Sequence, residues 1–212
     1  ENVIVNGDTV ATNSANINAI DTTPGGTEVY LLTNGFRKLP LITNTANARS
    51  AGGSLADTDY LATAKLLGPA GKNARDHSKV TFIPDMNTYW KSLELSNLKS
   101  IQSFQNSTIE NGELTAIWNY AVKPSGFMHA NSAKLMANSG GKIDADTDSN
   151  NTLGAILAVR WDQWLFGYKR RMTIETTRYA RSDSTEITAL ARIGLVNRDN
   201  EASAIGYNVT VA

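Results

Sequence analysis

Residues 79–95 read Lys-Val-Thr-Phe-Ile-Pro-Asp-Met-Asn-Thr-Tyr-Trp-Lys-Ser-Leu-Glu-Leu. Lys79–Ile83 is rich in β-formers and predicts a short buried strand. Pro84-Asp85 then opens a helix over Met86–Leu95, with proline in the first turn. Met86, Tyr89, Trp90 and Leu93 recur at helical spacing and form its expected apolar face.

Upstream, Val3-Ile4-Val5 leads into Asn6-Gly7-Asp8, a strong turn signal. Residues 8–26 read as a long polar loop, and Thr27–Thr33 as a short helix after Pro24, stopped by Asn34-Gly35. Phe36–Ile42 is apolar but carries Pro40, so it is irregular. Residues 43–53 read as a second polar loop. Ser54–Leu67 predicts a helix, with Ser54 and Asp57 near its start and Gly68-Pro69 at its end.

Downstream, strands dominate. Thr108-Ile109-Glu110 and Leu114–Val122 are joined by Asn111-Gly112, a hairpin-type turn. Residues 137–152 form a Gly-, Asp-, Asn- and Ser-rich loop. Leu153–Trp161 predicts an apolar strand, and Arg170–Thr177 alternates, with Met172 and Ile174 to one side. Ile187–Val196 fits helix and strand alike; Gly194 and the β-branched residues favour strand. Ile205, Tyr207, Val209 and Val211 alternate, so the chain closes in a strand. Helices crowd the first half and strands the second, which predicts an α+β fold.

Composition narrows the function. The 212 residues hold 20 Lys and Arg against 20 Asp and Glu. Such balance argues against an autonomous nucleic-acid binder, which carries a basic stripe. The chain has no cysteine, so neither a disulfide framework nor a thiolate nucleophile exists. No apolar run approaches the roughly 20 residues of a membrane helix, and no signal peptide opens the chain. The start at Glu1 reads as the end of something longer, a processed or truncated product.

Chemistry-bearing motifs are sparse. His77 and His129 show no metal-ligand spacing, and His77 sits in a polar loop, where a solvated histidine is expected. Asp144, Asp146 and Asp148 alternate as in a calcium loop, but Ser149 replaces the turn glycine and Ala155 the bidentate glutamate, so a solvated loop is expected. No nucleophile elbow, phosphate loop or dinucleotide fingerprint occurs. No catalytic, cofactor-binding or metal-binding residue is therefore assigned. The richest aromatic cluster is Trp161, Trp164, Phe166 and Tyr168, followed by Lys169-Arg170-Arg171. Rings beside cations can stack bases; burial in a core or a subunit interface is the preferred reading.

The order of these segments resembles the HK97-like major capsid proteins of tailed phages, from the end of their spine helix to the C-terminus. Ile4–Asp8 is similar to the helix end and turn that close the spine helix. Ser54–Gly68 and Lys79–Leu95 resemble the helix, central strand and short helix that follow. Thr108–Val122 resembles the next hairpin. Ala155–Thr177 is similar to the aromatic-rich turn feeding the long peripheral strand, and Glu186–Val196 with Ala204–Val211 to the closing strands that return to the core. The family's N-terminal arm, E-loop and spine-helix body lie ahead of this span, and no cross-linking residue is carried over.

The resemblance implies a single subunit core over residues 1–212, with mixed peripheral (P) and axial (A) lobes. It implies a structural role without catalysis: copies of the chain joining as hexamers and pentamers into an icosahedral virion shell around double-stranded DNA, without sequence-specific binding and without a membrane. Such a chain is made in the bacterial host cytoplasm, and without arm and E-loop it is expected to be a monomer or small oligomer. An encapsulin-like compartment shares the expected fold. A surface glycan-binding module is a third reading, suggested by an Asn- and Thr-rich sheet and the triplets Asn106-Ser107-Thr108 and Asn208-Val209-Thr210.

Overall fold

The computed structural model describes residues 1–10, 29–99, 109–110, 112–128, 140–143 and 148–211. His129, Asp144, Asp146, Asn111 and the triplet at 106–108 lie outside them. In chain order the elements are α1 (Asn2–Asn6), β1 (Ala48–Ser54), α2 (Asp57–Ala64), β2 (Val80–Pro84), α3 (Met86–Glu94), α4 (Ser96–Lys99), β3 (Ile109–Glu110), β4 (Glu113–Leu114), β5 (Ala116–Ile117), β6 (Tyr120–Val122), β7 (Gly154–Arg160), β8 (Trp164–Tyr179), β9 (Ser184–Asn197) and β10 (Ser203–Thr210). A six-stranded sheet has the order β1-β10-β7-β2-β6-β5. β1 runs parallel to β10 and β2 parallel to β6, while β7 is antiparallel to both of its neighbours.

β7 is central, and its sequence shows it. Gly154–Val159 is buried throughout. Ile156 and Ala158 join a core beneath α2 and α3, with Tyr60, Ala64, Phe82, Tyr89 and Val209. Ala155, Leu157 and Val159 join a second core on the other face, with Val5, Leu41, Met128 and Ile205. A strand covered on both faces reads as an unbroken apolar run. The first core is ordered by edge-on rings: Phe82 lies 5.2 Å from Tyr60 and 5.3 Å from Tyr120.

Asp85 fastens the expected strand-to-helix unit. Its Oδ1 accepts from the backbone N–H groups of Asn87 (2.9 Å) and Thr88 (3.0 Å), capping α3. Its Oδ2 accepts from the Thr88 hydroxyl and from the Ala155 N–H (2.9 Å), which belongs to β7. Burial pushes this carboxyl's pKa up, and the four donors pull it back. Gly154 completes the junction, because a β-carbon there would collide with the Thr88 hydroxyl.

A second polar junction holds the chain start. The carbonyls that end α1 accept from Gly35, Phe36 and Arg37: Gly7 O at 2.7 Å, Ile4 O at 2.8 Å and Val5 O at 3.1 Å. Gly7 and Gly35 permit this crossing, since a β-carbon on either would strike the other segment's backbone. Lys38 then pairs with buried Asp8 at 2.6 Å. The fully buried Arg37 guanidinium donates to Asn6 Oδ1 (2.9 Å) and Gly141 O (2.8 Å), and burial lowers its pKa to about 10. The Asn-Gly-Asp turn is thus a docking point for Arg37-Lys38.

Several expectations are corrected. Residues 48–54, read as loop, form edge strand β1 through pairing with β10. The helix expected from Ser54 begins at Asp57, and its start is fixed by Asp59 Oδ2 accepting from the Ala56 N–H at 2.9 Å. Of Thr27–Thr33, the described part is a 3-10 turn at Val29–Leu32. The strand expected over Leu114–Val122 is broken by a tight turn with positive φ at Trp118 and Asn119, which pairs β5 with β6. The alternation in β10 is interrupted: Asn208 has φ +61° and the register with β7 shifts between Gly206 and Val209. That bulge sends Ile205 and Val209 to opposite cores. On α3 the inward side chains are Thr88, Tyr89 and Ser92, while Trp90 is 57% exposed.

Asp85→Asn puts an amide N–H₂ against one of two inward-facing donor sets. We expect a stability loss of about 2–4 kcal/mol, read from urea melts; an unchanged midpoint contradicts the junction's role.

Candidate functional site

Among the described residues β8 and β9 pair only with each other, forming a two-stranded ribbon inserted between the adjacent core strands β7 and β10. Sixteen residues of β8 extend it about 50 Å at a strand's usual rise. The neck is closed by Arg198 N–H donating to Gln163 O (2.8 Å). Thr33 ties the root: its hydroxyl donates to Leu195 O (3.1 Å) and accepts from Leu195 N–H (3.0 Å). Trp164 packs edge-on against Phe36, with ring centroids 4.7 Å apart. From there outward the ribbon stands in solvent.

Cross-strand pairing sorts its side chains. Phe166 faces Leu195, Tyr168 faces Ile193, Ile174 faces Ala189 and Thr176 faces Ile187. Because alternate residues of β9 share a side, Phe166, Tyr168, Ile174, Ile187 and Ile193 form one apolar face. Phe166 and Tyr168 touch edge-on at 5.1 Å. Tyr168 is 61% exposed, Ile174 62% and Ile187 70%. The other face carries Leu165 with Val196, Gly167 with Gly194, and Arg170 with Arg192. Surface ion pairs decorate the ribbon, Arg170 to Glu175 at 2.7 Å and Arg178 to Asp183 at 3.3 Å.

The aromatic cluster singled out in the sequence is therefore split. Phe166 and Tyr168 lie together on the exposed apolar face. Trp164 is half-buried at the root, its indole N–H without a partner among the described residues. Trp161 lies apart in the turn after β7, its Nε1 donating to Ser78 O at 3.4 Å and its ring 56% exposed. Within a single copy these rings do not build a common core. Glu186–Val196, expected to return to the core, does so only at Leu195. Ile174, Ile187 and Ile193 are the members of the face that ring-counting overlooks; the two-residue alternation of Ile187–Leu195 is the signal that carries the last two.

Among the described residues, no three His, Asp or Glu side chains converge as metal ligands. His77 packs tilted against Tyr120, with ring centroids 4.3 Å apart. A polar recess is bordered by Lys72, Arg75, Asp76 and Arg160, where Arg160 is held by Asp162 at 2.8 Å. No described helix is long and apolar enough to cross a membrane.

The fold is HK97-like. The chain superimposes on a subunit of the holo-SrpI encapsulin complex from Synechococcus elongatus with TM-score 0.51 and 12% identity, covering 83% of this chain and 61% of that one. It matches a chain of the satellite phage P4 procapsid, a structure that includes the size determination protein, with TM-score 0.51 and 12% identity, over 98% and 58%. The chain thus spans about three fifths of the length of these structures. No family model and no curated protein matches the sequence.

Trp164→Ala should cost about 2 kcal/mol, below the roughly 3–5 kcal/mol of a fully buried ring. Phe166→Ala should change the free subunit by less than about 0.5 kcal/mol. Urea melts of both at low protein concentration check the contrast.

Proposed function

We propose that this chain is a shell-building subunit, the greater part of a tailed-phage or prophage major capsid protein. The observation that carries the proposal is a long ribbon with one uncovered apolar face, mounted on an HK97-like core. A two-stranded hairpin is marginal in water by itself and gains stability when a further layer covers it. Contiguous exposed apolar surface of this kind marks an association site. Copies of the same chain supply that cover in a shell, where repeated heterologous contacts close into rings. The work is then mechanical: it needs shape and buried surface, and no reacting group. Balanced charge suits a wall that surrounds double-stranded DNA without gripping its phosphates. On this proposal the protein resides in the virion after synthesis in the bacterial host, as hexamers and pentamers in the full shell. The division into P and A lobes belongs to the same proposal.

The encapsulin match supports a second reading, a compartment shell enclosing protein cargo. Expression of the full gene product followed by negative-stain electron microscopy, light scattering and nuclease treatment separates the outcomes. Uniform shells with nuclease-protected DNA, when the packaging machinery is present, are the expected result. Shells holding a co-purified protein favour the compartment. A persistent monomer at all concentrations overturns both.

A further inference from the structure

We infer that the second face of the ribbon root is a socket for α3 of another copy of this chain, seating Trp90 on the Gly167–Gly194 pair with Glu94 against Arg192. The inference rests on the shell reading and deepens it. Charge names the partner. Residues 164–197 hold six Lys and Arg against three Asp and Glu; since the whole chain is balanced at 20 against 20, the remainder holds 14 against 17. A basic ribbon and an acidic body on one polypeptide are complementary between copies.

The socket has three successive cross-strand pairs on one side. Leu165 and Val196 form an apolar wall, both more than half exposed. Gly167 and Gly194 form a bare floor, within an open groove of about 500 Å³. Arg170 and Arg192 form a cationic wall. Gly7, Gly35 and Gly154 are crowded by their own chain, whereas a β-carbon on Gly167 or Gly194 meets nothing within 4 Å, and neither has the positive φ that requires glycine. Glycine inside a strand weakens it, and often marks close approach of another group. Like charges directly opposite each other repel; Arg170 is answered by Glu175, while Arg192 makes no ion pair among the described residues.

The complementary knob is on α3. Trp90 is exposed, and Glu94, one helical turn on, shares its side of the helix. Among the described residues Glu94 is held only by Lys91 at 3.0 Å, a surface pair of little strength that can exchange for Arg192. An indole with a carboxylate beside it matches a bare floor between aliphatic and guanidinium walls.

The cysteine-free chain permits a direct test. Lys91→Cys and Lys169→Cys copies, mixed under assembly conditions, are treated with a short bis-maleimide. A mixed cross-linked dimer is expected, and Ser78→Cys in place of Lys169→Cys should give none. Adding Trp90→Ala or Gly194→Leu should lower the yield at least tenfold, with the urea midpoint of the Gly194→Leu subunit unchanged. Arg192→Glu should abolish the product and Glu94→Arg on the partner copy restore it. Assemblies that form while all these changes leave the yield untouched overturn the socket and spare the shell reading. A full gene product that never associates overturns both.

Discussion

One buried carboxylate fixes the arrangement on which the rest depends. Asp85 simultaneously ends β2, starts α3 and holds β7 by the Ala155 N–H. Unpaired, a charge this deep in apolar surroundings is costly; with four donors it is satisfied only in one relative placement of strand and helix. That placement leaves no room for a side chain at residue 154, which is glycine. It also sets β7 between β2 and β10 with a core on each face, so both layers are organised around a strand whose start is anchored by Asp85.

Because β7 and β10 are antiparallel neighbours, the segment between them could have been a short turn. It is instead a 34-residue excursion from Trp164 to Asn197, pinned at its neck by backbone and at its root by Thr33, Phe36 and Leu195. The core closes without it. The ribbon can therefore carry surface that serves no purpose inside the subunit, and its composition follows that freedom: isoleucines and rings on one side, glycines and arginines on the other.

What could be read in the sequence depended on how local the signal was. β2 and α3 were legible because β-formers, proline and helical spacing act within a few residues; the cap that Asp85 supplies emerged only from the structure. β7 was legible because burial on two faces leaves a run without polar residues. β1, Ala-Arg-Ser-Ala-Gly-Gly-Ser, was not: it is an exposed edge whose strand character comes from a parallel partner more than 150 residues away. The bulge at Asn208 was hidden because Ile205, Tyr207, Val209 and Val211 keep an alternating pattern through it; the conformational tolerance of Asn is the only local trace. Helical spacing placed Trp90 on one apolar face with Tyr89 and Leu93 but could not say that Trp90 alone of the three turns away from the core. The aromatic cluster posed the same problem: ring content announces burial without saying by what.

That last ambiguity has physical content. A ring destined for a subunit interface and a ring destined for the core obey the same periodicity, because both are paid for by removal from water. What separates them here is the neighbourhood. Phe82 has Tyr60 and Tyr120 against it from the same chain. Among the described residues Tyr168 has one such ring, Phe166, which is itself exposed, and Trp90 has only Tyr89. Side chains that a chain cannot cover by itself, on a ribbon of one charge and a helix on a body of the other, are complementary in the way that heterologous contacts require: two different patches on each copy, so that each subunit both gives and receives. An isologous pairing of ribbon with ribbon would set Arg170 and Arg192 against their own counterparts. Ribbon against body removes that repulsion and covers Trp90 and the glycine floor with one contact.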